Sequence, residues 1–131
     1  WRIAVAVLTA AGMRDQLAGP PQGLADGSPF QPKAHTPHAV LCGDFNLEPH
    51  EAEYAQLVAA GDGVLHDTWP LLHPDQPQPN TFRLFDRTWG PEPGACDFVL
   101  VSDSLRSHVH DWRTDSATQL SDHQPVLVHL A

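Results

Sequence analysis

Positive charge is scarce in this chain. Seven lysines and arginines stand against sixteen aspartates and glutamates, a formal net charge of −9 over 131 residues. A protein held mainly by nucleic-acid phosphates carries a basic footprint, and composition supplies none here. A polybasic segment for an anionic membrane surface is missing too. The two cysteines, Cys42 and Cys96, are too few for a disulfide framework or a zinc-ligand pattern. Each sits in an apolar run and reads as a small buried hydrophobe. That usage suits a reducing compartment, and the cytoplasm is the expected location. No apolar run approaches the roughly 18 residues that a membrane helix needs. The nine histidines show no metal-ligand spacing such as H-E-x-x-H. No G-x-S-x-G elbow is present either, which removes the usual signature of a serine hydrolase. The chain opens on Trp1 rather than Met and is expected to be a piece of a longer protein.

The acidic excess suits a divalent cation, because Mg²⁺ and Ca²⁺ take oxygen ligands. It equally suits plain solubility. The length suggests one domain, large enough to bury a real core. Thirteen prolines punctuate it, and five of them fall in residues 19–38, where no regular element is expected. Residues 1–38 therefore read as a helix-leaning apolar stretch followed by a Pro/Gly-rich linker. Residues 39–131 read as the folded body.

Within that body, residues 39–45 form an apolar strand. A helix is expected over residues 48–61, with Pro49 at its first position, Tyr54, Leu57 and Val58 on one face, and Gly61 as its stop. Residues 64–69 and 80–84 read as short extended pieces, and residues 70–79 as a proline-studded loop. Residues 95–101 form a strand buried on both faces. Residues 108–113 and 125–130 supply two more strands. Strands dominate over one clear helix, an α/β or α+β sheet protein.

Three polar sets stand out against this apolar frame. Asp44 and Asn46 end the first strand two positions apart, so the strand period would turn both to one side. The alternative is an Asx-type cap for the following helix. Asp97 enters a buried strand, where a carboxylate needs a partner or a role. Ser121-Asp122-His123 precedes the last strand. Alone it is an ordinary loop, and contiguous Asp and His do not make a Ser-His-Asp triad. Trp89 lies in a loop ahead of Asp97, where it either packs or borders a substrate. Arg83 and Arg87 could meet a phosphate, although surface arginines are the default.

Taken together, Gly43-Asp44-Phe45-Asn46, then Asp97-Phe98-Val99-Leu100-Val101-Ser102, then Ser121-Asp122-His123-Gln124-Pro125-Val126 occur in a telling order. This resembles the C-terminal half of the endonuclease/exonuclease/phosphatase superfamily, the exonuclease III and DNase I-like enzymes. The resemblance covers about residues 39–131. His66-Asp67-Thr68-Trp69 and Asn80-Thr81-Phe82-Arg83 also resemble the stretch between those motifs. It implies part of a four-layer α/β/β/α sandwich, mainly one mixed sheet with a flanking helix, and a Mg²⁺-dependent phosphoesterase, with Mn²⁺ as the alternative ion. It implies a catalytic set of Asp44, Asn46, Asp97 and His123, with Asp122 and Asp44 toward the metal, and Asn46 and Trp89 toward the substrate. Asp44 would activate water, His123 would meet the phosphate oxygens, and Asp97 would hold His123. The substrate is a phosphoester of open class, nucleic acid included. The family's N-terminal half supplies an Asn and a metal-binding Glu, yet residues 1–38 contain no Glu. The chain is thus expected to be incomplete as an enzyme and to need that other half. The competing reading is a non-catalytic pseudo-enzyme or interaction domain.

Overall fold

The computed structural model describes residues 11–15, 17, 36–61, 63–88 and 90–131. The expected linker lies almost wholly outside them, as does Trp89. Residues 11–15 and 17 are helical, as the Ala-rich composition predicts. Met13 and Leu17, four positions apart on one helical face, pack against the core.

Five strands follow among the described residues. β1 (Val40–Asp44), β2 (Leu65–Asp67) and β3 (Asp97–Ser102) form one sheet in the order β1-β3-β2. β4 (Val109–Thr114) and β5 (Val126–Leu130) form a second. The α+β expectation holds. The single mixed sheet does not: every described strand pair is antiparallel, and the pairs fall in two sheets. Apolar runs specify strands without specifying direction, which connections and tertiary packing decide.

β3 is the central strand of its sheet. Phe98, Leu100 and Val101 are almost fully buried along it. Phe98 and Leu100 join Leu47, Leu57 and Leu65 in the main core cluster. β1 lies at one edge among the described strands, so Val40 and Cys42 are exposed. The expectation of a buried Cys42 is corrected accordingly, whereas Cys96 is buried.

α1 (Ala52–Ala60) starts four residues later than the sequence suggests. The Glu51 carboxylate accepts from the Glu48 backbone N–H at 2.6 Å, and Glu51 N–H donates to the Glu48 carbonyl at 3.0 Å. These bonds close a turn around Pro49 and His50, so Pro49 precedes the helix instead of opening it. Leu57 is the fully buried residue of α1, and Gly61 ends it. A Cβ at Gly61 would lie 2.9 Å from the Leu65 Cβ, so close packing against β2 is what favours glycine there.

α2 (Thr68–Leu72) occupies ground read as extended chain and loop. The Asp67 side chain caps it, accepting from Trp69 N–H at 3.2 Å. Pro70 falls in the first turn, where no intrahelical donor is lost. Trp69 then meets Trp112 of β4 edge-on, with ring centroids 4.8 Å apart, which ties the two sheets together. Asp103–His108 forms a 3-10 helix between β3 and β4. No helix among the described residues is long and apolar enough to cross a membrane.

Candidate active site

The register of β1 against β3 sets the site. It places Asp44 directly opposite Asp97. Like charges at such a position repel, so the pairing costs stability unless other groups intervene. Those groups come from two distant loops. Residues 81–83 are not a strand but a two-sided splice. Phe82 bridges Gly94 on one side and His123 on the other. Thr81 N–H and Phe82 N–H both donate to the Gly94 carbonyl at 2.9 Å. Across the other side, Gln124 N–H donates to Thr81 O at 2.6 Å and Arg83 N–H to Asp122 O at 2.8 Å. One residue pairs on each side, which is too little for a strand and enough to carry His123 to the end of β3.

The imidazole then stands between the two carboxylates. His123 Nδ1 lies 3.0 and 3.2 Å from the two Asp97 oxygens. His123 Nε2 faces Asp44 Oδ2 at 3.8 Å. Asp97 also accepts from the Thr81 hydroxyl at 2.6 Å, and its backbone carbonyl accepts from Gln78 Nε2 at 2.8 Å. Asp97 is thus held on several sides before it meets the imidazole. The Phe82 ring stacks on His123 with centroids 4.4 Å apart, and the Arg83 guanidinium lies 4.7 Å from the centre of the same ring. Arg83 sits at φ 59°, in the left-handed region that a bulky residue seldom adopts, which directs it toward this end of the sheet.

Asp44 and Asn46 meet, but not through the strand period. β1 ends at Asp44, and Asn46 adopts φ 54°. Its backbone N–H donates to Asp44 Oδ1 at 2.7 Å, an Asx turn, and its carboxamide donates to Asp44 Oδ2 at 2.8 Å. The local cap and the polar pair are therefore one arrangement. Both carboxylate oxygens of Asp44 are engaged from the same residue.

These groups line a cleft of about 510 Å³. Asp44, Asn46, Phe82, Arg83, Asp122 and His123 face it, with Glu48 and Glu51 also contributing to the wall. Asp122 does not join the tightest donor cluster. That cluster is Asp44, Cys96 and His123, whose ligand atoms lie within 4.8 Å of one another. Cys96 is buried beside Asp97, its Sγ 3.7 Å from Asp97 Oδ2. Burial, and then the charges of Asp97 and Asp44, push its thiol well above the usual range.

The structure therefore gathers Asp44, Asn46, Asp97, Asp122, His123 and Arg83; of the other residues singled out, Trp89 lies outside the described residues and Arg87 does not line the cleft. Thr81, Phe82 and Cys96 join them, although none of the three was a site candidate. The order Asn80-Thr81-Phe82-Arg83, already conspicuous as a resemblance, was the available signal for two of these.

No curated protein matches the chain in a sequence comparison. A family model does match, that of the Endonuclease/Exonuclease/phosphatase family, over residues 11–123. That span covers most of the chain and encloses every residue of the cleft, and the chain belongs to the endonuclease/exonuclease/phosphatase family.

Proposed function

We propose that this site hydrolyses phosphoester bonds with the help of a divalent cation, Mg²⁺ or Mn²⁺. The family is generally one of phosphoester hydrolases. The observation that carries the reading for this chain is the line Asp97–His123–Asp44, with Nδ1 of the imidazole on one carboxylate and Nε2 toward the other.

A phosphoester resists attack because it is negatively charged and water is a weak nucleophile. Hydrolysis needs a base for the water, neutralisation of the phosphate and a proton or charge for the leaving oxygen. Asp44 is the candidate base. It opens onto the cleft, and the two Asn46 bonds fix its oxygens without supplying a proton to be lost. His123 presents Nε2 to the same space, where its N–H would donate to a phosphate oxygen as charge builds. Asp97 keeps Nδ1 as the donor toward itself and so leaves Nε2 for the substrate. Arg83, at the wall, is placed to pair with a phosphate oxygen, for which a guanidinium is well shaped.

The donors fit a hard cation held loosely. Mg²⁺ is bound through one or two carboxylates and keeps several waters. Asp44 and Asp122 line one cleft and would supply that hold. The ion, when bound, would neutralise phosphate charge.

The test is hydrolysis of bis(4-nitrophenyl) phosphate with Mg²⁺ by the natural polypeptide that carries this chain. Turnover should vanish with EDTA, and His123→Ala should lower the rate about 10²- to 10⁴-fold, the usual effect of removing a positioned acid or base. No turnover, or turnover indifferent to EDTA, overturns the proposal.

A further inference from the structure

We infer that Asp44, Cys96 and His123 form a binding site for a thiophilic divalent cation such as Zn²⁺, which shuts the cleft by occupying its base and its imidazole. The inhibitory consequence rests on the phosphoesterase reading above. The site itself does not.

Three features carry the inference. The first is the donor set. One carboxylate oxygen, one sulfur and one imidazole nitrogen converge within 4.8 Å, each from a different segment of the chain. Zinc bonds of about 2.0–2.3 Å in a tetrahedron place neighbouring donors about 3.3–3.6 Å apart. His123 Nε2 and Asp44 Oδ2 already stand at 3.8 Å. The 4.8 Å limit on the set exceeds that spacing by about 1.2–1.5 Å, a closure that two side chains moving toward each other share. Three protein ligands leave a fourth position open to the cleft, as in zinc sites that accept water or an anion.

The second feature is the support behind each donor. A metal-binding imidazole commonly holds its other nitrogen on a carboxylate, which fixes the ring and raises its donor strength. His123 does so, through Nδ1 on Asp97. Asp44 is held by both bonds from Asn46. Cys96 is buried and adjoins the carboxylate that backs the imidazole. β1 and β3 fix two of the three segments by their register, and the Phe82–His123 bridge fixes the third.

The third feature is selectivity. Mg²⁺ takes oxygen and gains little from a thiol or an imidazole. Thiolate and imidazole favour Zn²⁺ and softer ions, and for such mixed sites affinity rises toward copper and zinc. A coordinating thiol gives up its proton, here to solvent, as the metal–sulfur bond forms. The cleft would thus hold a hard ion through Asp44 and Asp122 in its working form. A soft ion would instead be held through Asp44, Cys96 and His123. The two modes share Asp44, so they exclude each other.

Titrating the chain with Co²⁺, under a phosphine reductant and with circular dichroism recorded alongside, reads the site without any turnover. The wild type and Cys42→Ser should develop a thiolate-to-cobalt charge-transfer band, and Zn²⁺ should displace it. Cys96→Ser and His123→Ala should lack the band while keeping the far-ultraviolet spectrum. Asp97→Asn should keep the band with affinity weakened about 10- to 100-fold, the usual cost of losing support behind a ligand. Absence of the band in the wild type, its survival in Cys96→Ser, or its loss in Cys42→Ser overturns the site. The inhibitory step is then read as the Zn²⁺ concentration that halves hydrolysis at fixed Mg²⁺, which Cys96→Ser should raise more than tenfold. A cobalt band without hydrolysis leaves the site standing and removes the phosphoesterase reading. Hydrolysis that Zn²⁺ leaves untouched removes the inhibitory step.

Discussion

Asp97 and Asp67 make an instructive pair. Both stand at strand ends of one sheet, and both accept a short bond from a hydroxyl. The Thr81 hydroxyl lies 2.6 Å from Asp97, and the Tyr54 hydroxyl 2.7 Å from Asp67. Beyond that they part. Asp67 is 5% exposed and receives its remaining bonds from the helix it caps. Its titratable partner is Tyr54, and burial pushes both groups above their usual ranges. Asp97 keeps 18% of its side chain exposed and spends its second bond on an imidazole that opens onto a cleft. One carboxylate is closed around structure. The other is held firmly on one side and left with an outlet on the other, the arrangement that the proposed hydrolysis asks of Asp97.

Exchanging the carboxylates for carboxamides should separate the two. Asp97→Asn keeps the shape and the Thr81 bond but weakens the hold on His123 Nδ1. We expect kcat on a phosphodiester to fall about 10²-fold with KM little changed, and the unfolding midpoint to stay near wild type. A change confined to stability would place Asp97 in the same class as Asp67 and erase the contrast.

The contrast also shows what the sequence could reveal. Asp97 was legible because it interrupts a strand of apolar residues, and Asp44 because it ends one. The strand, helix and strand around them follow from local periodicity, and β1, α1, β3 and β5 lie close to where the pattern puts them. Asp67 looked like part of a resemblance and nothing more. Its capping role depends on α2, and Pro70 argued against a helix there until its place in the first turn became visible. The same limit hid the neighbours of His123. Thr81 reaches Asp97 across 16 positions and His123 reaches it across 26, so no period connects them. Cys96 looked like one more small hydrophobe for the same reason: its neighbours Asp44 and His123 approach from elsewhere in the chain. Two sheets rather than one mixed sheet were equally out of reach, since strand direction is settled by partners and not by the run itself.

Tyr54→Phe probes the closed carboxylate directly. The phenol packs on Phe98, with centroids 5.2 Å apart, and the ring would be kept. Only the bond to Asp67 goes. A buried acceptor left one donor short costs about 1–3 kcal/mol, to be read as a drop in unfolding free energy from denaturant titration. Hydrolysis should not change beyond the error of the assay. A rate loss as large as that of Asp97→Asn would mean that the two carboxylates act together.

Asp67→Asn carries the smallest effect and the clearest sign. Burial is the largest influence on Asp67 and raises its pKa, while bonds from Tyr54, Trp69 and Thr68 pull the other way without cancelling it. The folded chain therefore holds this proton at pH values where the unfolded chain has lost it. With fewer protons bound in the unfolded state, stability falls as pH rises. The contribution is fully present below the ordinary carboxylate range, declines from about pH 4 upward through the raised value, and is constant beyond it. A carboxamide has no proton to lose, and its oxygen still accepts from one of the same donors. Relative to wild type, the variant should thus gain stability as pH rises through that window. Unfolding free energies measured in parallel from pH 4 to 7 decide it. A gap that stays flat would mean that the three hydrogen bonds balance burial, and that Asp67 holds its charge as readily in the fold as in water.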